Sequence, residues 1–189
     1  MTARRSRLAV WLLTGALLAG AWAVSKATLP DDAATAPFPT RAGLGERVTV
    51  RDLSVTVTDV RAAGRVMDST GWSAEGTWLV VDLEAAAVLS QDAALQLHEL
   101  VIGERTFSAT ERGTTFRGHA LIPGVARTGS LAFELPAGDL HGQAVLRLGT
   151  PTGLRLDAPL DAVVEVPIDL DDVTVQNEAV LLENGWAQR

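Results

Sequence analysis

From Gly45 onward, apolar and polar residues alternate along the chain, the period-two pattern of strands that bury one face. Val48 and Val50 point one way; after Asp52 the parity shifts, so that Leu53, Val55 and Val57 share a face opposite Ser54, Thr56 and Thr58. A parity change inside one strand-like run predicts a β-bulge or a strand that crosses between sheets. Residues 77–88 continue the alternation, with Leu79, Val81, Leu83 and Ala85 on one face and Trp78, Val80, Asp82 and Glu84 on the other. Residues 97–102 and 105–110 flank Gly103-Glu104, where glycine at the first central position suits a type II′ hairpin turn. Pro123-Gly124 marks a further turn, and residues 128–135 follow with Leu131, Phe133 and Leu135 inward until Pro136 stops the strand. Residues 143–149 form a short strand with Ala144, Leu146 and Leu148 on one face. Residues 162–170 place Val164, Val166, Ile168 and Leu170 inward; Pro167, on the other face, cannot donate to a ladder and so predicts an edge strand.

Short alternating segments separated by Gly/Pro turns, without a long 3.6-residue repeat, predict an all-β antiparallel sandwich over residues 45–170. No internal repeat is present. The tail, residues 171–189, carries Ala179-Val180-Leu181-Leu182 and Trp186, suited to docking as a last strand or a short helix.

The first 27 residues follow another pattern. A basic head, Arg4, Arg5 and Arg7, precedes an uncharged apolar run from Leu8 to Val24. Basic residues stay on the cytoplasmic side, so the chain beyond Ala27 is expected to face outward. The run has 17 residues, about 25 Å of helix, between a signal-peptide core and a full membrane span. Its length, with Trp11 and Trp22 near the two ends, favours a retained transmembrane anchor. Ala21-Trp22-Ala23 and Ser25-Lys26-Ala27 have cleavage-like spacing and leave a signal peptide, and a secreted product, as the alternative. Leu17-Leu18-Ala19-Gly20 is followed by Ala21 where a lipoprotein box needs cysteine, which excludes a thioether lipid. Residues 28–44, rich in Pro, Ala and Asp, read as a linker.

Charge and composition remove whole classes of chemistry. Taking Arg4, Arg5, Arg7 and Lys26 from the 16 basic residues leaves 12 against 23 acidic ones, a net −11 for the outward part. A nucleic-acid binder needs a basic footprint, and this sequence has none. Without cysteine there is no disulfide, thiol nucleophile or thiolate metal site. Lys26 is the only lysine and tyrosine is absent, which removes Schiff-base and phenolic chemistry from the outward part.

The segments Gly43-Leu-Gly-Glu-Arg-Val-Thr-Val-Arg-Asp-Leu-Ser-Val-Thr-Val-Thr-Asp-Val, Gly76-Thr-Trp-Leu-Val-Val-Asp-Leu-Glu-Ala, Pro123-Gly124 and Gly129-Ser-Leu-Ala-Phe-Glu-Leu-Pro carry a resemblance. Behind an N-terminal anchor and Pro/Ala linker, they resemble the immunoglobulin-like extracellular domains of actinobacteria, similar in fold to a mycobacterial secreted immunogenic antigen. The resemblance covers about residues 43–170, implies an immunoglobulin-like sandwich, and brings no catalytic residues with it.

Candidate chemistry is sparse. His98, His119 and His141 are 21 and 22 residues apart, matching no local metal motif, and His98-Glu99 lacks a second histidine four residues on. Gly129-Ser130-Leu131-Ala132 lacks the trailing glycine of a nucleophile elbow. Asp169, Asp171 and Asp172, with Asp157 and Asp161 upstream, are either a weak calcium site at a sandwich end or a solvated acidic loop; no EF-hand-type loop is present. Trp72 and Trp78 flank the Gly71 to Gly76 turn and are either packed aromatics or anchors for a partner. The expectation is a membrane-tethered binding module of the bacterial envelope, held by Leu8 to Val24, without catalysis or cofactor of its own, that meets an unidentified protein partner. An envelope hydrolase with an unrecognised site and a secreted ligand-binding domain are the alternatives.

Overall fold

The structure, a computed structural model, describes residues 2–27, 37–89, 93–150 and 162–187. Helix α1, Thr2–Ala27, belongs to one unit and the remainder, Pro37–Arg189, to a second. Among the described residues no helix is long and apolar enough to cross a membrane, so the membrane-spanning reading of Leu8 to Val24 is not supported. The composition gives the reason. Thr14, Gly15, Gly20 and several alanines dilute the run, which at about 25 Å falls short of a ~30 Å hydrocarbon core.

The second unit is built from strands β1 (Phe38–Arg41), β2 (Arg47–Val50), β3 (Leu53–Met67), β4 (Ser73–Ala87), β5 (Ala93–Ala94), β6 (Leu97–Ile102), β7 (Arg105–Ser108), β8 (Ala120–Leu121), β9 (Arg127–Leu135), β10 (Gln143–Gly149), β11 (Ala162–Asp169), β12 (Thr174–Gln176), β13 (Ala179–Val180) and β14 (Gly185–Trp186). The smaller sheet has the order β1-β11-β10-β6-β7. The larger has β12-β3-β4-β9-β14, with β2 and β13 also paired to β3. β5 and β8 form a two-stranded ribbon. The two main sheets enclose the core as a β-sandwich, as the alternation predicts: Leu53, Val55, Leu79, Leu83, Leu131 and Phe133 from the larger sheet pack with Leu100, Leu146, Leu148 and Val164 from the smaller one. Each of these fully buried side chains contributes about 1.5–3 kcal/mol of transfer free energy.

Three expectations change. The parity shift at Asp52 is a tight hairpin rather than a bulge: Val50 pairs with Leu53, and Arg51 between them has φ +27°. The register shifts of the long β3–β4 pair lie further on, between Val57 and Asp59 and between Ala63 and Arg65. β11 is not an outer strand, because β1 pairs with it in parallel from Ala162 to Glu165. The ladder ends as Ala42 donates its N–H to Glu165, so Pro167 falls just beyond β1 and its missing donor goes unmissed. β1 itself lies inside the stretch expected as linker; residues 28–36 of that stretch, like Asp157 and Asp161, lie outside the described residues. The Gly103-Glu104 turn forms as expected, with Gly103 at φ +59°.

The tail docks as strands. β12 and β13 run parallel to β3, and β14 pairs with β9 two strands away. Between β13 and β14 the tail therefore crosses β4, on the outer face of the larger sheet. This strap buries Ala179 and Leu181 against Trp78, Val80, Ala63, Val66 and Ala132, a second small core on the side where the alternation places Trp78 and Asp82.

Candidate functional site

Under the strap lies a buried polar network that the sequence does not announce. Asp82 sits at the middle of β4 with 6% exposure, between Val80 and Glu84 on the outer face. Its Oδ2 accepts from Arg61 Nη1 at 2.5 Å and its Oδ1 from the Ser130 hydroxyl at 2.5 Å. Arg61 Nη1 also meets Asp59 at 3.0 Å, and Nη2 donates to the Val180 carbonyl at 2.9 Å. The Leu182 N–H donates to Ser130 Oγ at 2.8 Å, closing the network onto the strap. Burial opposes the charge of Arg61, but the hydrogen bond and charge of Asp82 outweigh it and hold the guanidinium above its ordinary pKa. Ser130 is fully buried and already committed, so it is a strap-binding hydroxyl and not an accessible nucleophile.

The histidines are dispersed. His98 points from β6 into the sandwich, 5% exposed, and among the described residues its Nδ1 has no partner. Burial pushes its pKa below the ordinary histidine value; Arg117 adds to this, and Glu99 and Glu111 oppose it. His119, in the loop before β8, meets the tail: Asn184 Nδ2 lies 2.9 Å from its Nε2 and 2.7 Å from the Thr115 carbonyl. Burial, then Arg127, lowers its pKa as well. His141 is exposed in the turn after β9. Among the described residues no three His, Cys, Asp or Glu side chains converge as a metal site requires. Asp169 instead organises its own turn, accepting from the Asp171 N–H at 3.1 Å and from the Gln143 amide at 2.6 Å.

The two tryptophans part company. Trp78 is fully buried in the small core and offers no surface to a partner, which corrects its candidacy as a contact residue. Trp72 is half-buried and packs edge-to-face on Trp78, ring centroids 6.3 Å apart. Beside it, Asp68 gathers five donors: the N–H and hydroxyl of Thr70, the N–H of Trp72, and the N–H and hydroxyl of Thr114. The Thr70 hydroxyl, followed by the Thr114 and Trp72 donors, holds the carboxyl far below the usual carboxylate range. Asp68 thus fastens the β3–β4 turn to the loop after β7.

Where the strap stops, the same outer face stays open. A cleft of about 330 Å³ is floored by Thr56, Ser54 and Ala86 and flanked by Ala126 and by the Arg47–Glu84 ion pair at 2.6 Å. The Thr56 hydroxyl is buried without a partner among the described residues. At the end of the cleft Gly124 donates its N–H to Ala87, which brings the 122–125 turn beside the end of β4. Val88, Leu89, Ile122 and Val125 are all exposed there, Leu89 at 74%. This apolar rim was not singled out by the sequence, because its members come from two turns 34 residues apart that only the fold brings together.

No protein family matches the chain, and no curated protein matches it. Among solved structures it is similar to a protein assigned as a lipoprotein from Bacillus subtilis, at 14% identity and a TM-score of 0.46. That alignment covers 67% of this chain but only 39% of the other. An uncharacterised β-sandwich protein from Clostridium difficile is similar over 71% of this chain and 97% of its own, at 8% identity and a TM-score of 0.46. At that similarity neither carries an argument about activity or partners.

Proposed function

We propose that this chain is an exported, non-catalytic binding module of the bacterial cell envelope, which meets a protein partner at the rim of the open cleft. The exposed apolar group Val88, Leu89, Ile122 and Val125 beside the cleft carries the reading. Apolar side chains gathered at one rim, next to a cleft with an unpaired buried hydroxyl, are the makings of an interface with a desolvated centre and polar surroundings. Export is supported by the basic head and by the apolar side chains of α1: Leu12, Leu13, Leu17 and Leu18 are all exposed, as suits a helix handed to a membrane or a translocation channel.

An immunoglobulin-like assignment belongs to the same proposal. What supports it is strand order. β3-β4-β9 on one sheet and β11-β10-β6-β7 on the other reproduce the immunoglobulin pattern, in which A-B-E face G-F-C and an added strand.

The test is photo-crosslinking in the native envelope with a reactive residue at Leu89. The reading expects one dominant protein adduct, abolished when Val125→Asp is added to a chain whose fold is intact by circular dichroism. Cells in which Leu89→Arg and Val125→Asp leave both the adduct and the phenotype unchanged would overturn it. Loss of the phenotype in His141→Gln alone, with fold and adduct kept, would favour the hydrolase reading.

A further inference from the structure

The strap touches the body through few groups. Ala179 and Leu181 are its buried side chains, while Val180, Leu182 and Trp186 remain 43–56% exposed. Its far end is held by polar, main-chain and ring contacts. Asn184 reaches Thr115 and His119, the β14 backbone pairs with β9, and the Trp186 ring lies under the Arg127 guanidinium, 4.4 Å from centroid to Cζ.

The Asn184 contact dictates a protonation state. The Thr115 carbonyl only accepts, so the amide group facing it is the NH₂. The same nitrogen faces His119 Nε2, which must therefore be the bare, accepting nitrogen of a neutral imidazole. A protonated ring would set two donors against each other at that point. Reversing the amide does not help, since Oδ1 would then face the Thr115 carbonyl. Nor is there room beside it: Asn184 Oδ1 lies over Gly129, where any side chain would run into Asn184 and Phe116.

We infer that residues 177–187 are a pH-sensitive cover, latched by neutral His119 through Asn184, over a groove on the larger sheet that the strap itself fills. The floor of that groove is the Trp78, Val80 and Ala132 surface, with Arg61 and Ser130 as backbone-reading groups. In the closed form the strap is its occupant. The charged groups around His119 reinforce the latch. Burial and Arg127, on β9, oppose a second positive charge and outweigh the Thr115 backbone, which favours it, while Glu111 and Arg117, on the loop that leads to His119, pair with each other at 2.5 Å. A group whose folded state disfavours the proton contributes fully above its ordinary pKa and loses that contribution as pH falls through the lowered value. The strap is thus held at neutral pH and loosens on mild acidification.

Hydrogen exchange on the full chain tests this, read by mass spectrometry at about pH 7.5 and about pH 5, either side of the ordinary histidine value. After correction for intrinsic rates, the Leu182 and Ala187 amides should lose up to about tenfold in protection at the lower pH, what one net hydrogen bond contributes. Amides in β4 and β9, which exchange only through global opening, should stay better protected than the strap at both values. His119→Gln keeps an accepting oxygen at every pH and should abolish the difference. Asn184→Ala should show at neutral pH the protection that the native strap shows in acid. Strap protection that does not change with pH, that equals the protection of β4 and β9 at both values, or that stays pH-dependent in His119→Gln would overturn the inference.

Discussion

Trp78 and Asp82 occupy outward positions of one strand with Val80 between them, yet both are buried, and they fail differently when altered. Trp78→Ala leaves a cavity in the small core, and a loss of about 3–5 kcal/mol in urea unfolding is expected. Trp72→Ala should cost less, since Trp72 is half-buried and the floor beneath it remains. Asp68 gives a cleaner case, because its contribution depends on charge. Asp68→Asn keeps one accepting oxygen and turns amide hydrogens toward the other set of donors, either those of Thr114 or those of Thr70 and Trp72, and should lower the urea midpoint at neutral pH. The native carboxyl binds its proton far below the usual range. The advantage is therefore complete above the ordinary aspartate value of about 3.9 and shrinks as pH falls below it. Midpoints of the two proteins should converge in strong acid; a constant gap across pH would show that shape, not charge, is what Asp68 supplies. The sequence could not reveal any of this, since alternation assigns Asp82 to solvent and gives Asp68 no role.

At the level of strands and tail, what was readable was whatever followed period two. β4, β6, β9, β10 and β11 fall where the alternation puts them, and the inward faces are the expected ones. β1 escaped because Phe38-Pro-Thr-Arg has no alternation to read; it forms because β11 offers an open edge. The tail was readable as something that docks, by a strand or a short helix, but which of the two and where was not, for a related reason. It docks two side chains and is held mainly through main-chain and polar contacts, which leave little trace in composition. Those contacts predict an asymmetry at the ion pair beneath it. Asp82→Ala leaves the largely buried Arg61 with only the exposed Asp59 as counter-charge, and a loss approaching about 3 kcal/mol is expected. Replacing both partners, Arg61→Met with Asp82→Leu, should cost far less or nothing. Urea unfolding of the single and double variants decides it. A double variant as unstable as the single would mean the network's value lies in its hold on Val180 and Ser130, not in the pair.

Across the whole molecule, the sandwich must place His98 between its sheets with no cysteine bridge and no disulfide to compensate. An inward histidine is tolerated only as the neutral imidazole, and burial holds its pKa below the ordinary value of 6.5. Protons are then bound more readily by the unfolded chain than by the folded one, so stability rises with pH across the window just below that value and is level above it. His119 adds a limb of the same sign, but its limb ends with the strap, whereas His98 sits against the core and its limb ends with global unfolding. His98→Phe replaces a buried, unpartnered nitrogen with carbon of similar bulk and should raise the neutral urea midpoint slightly while flattening its fall toward about pH 5. Combining it with His119→Gln should remove most of the remaining slope above the carboxylate range. If His98→Phe unfolds with the native pH profile, the acid limb comes from carboxylates instead, and the core histidine is a passenger in a fold stabilised by Leu, Val and Phe alone.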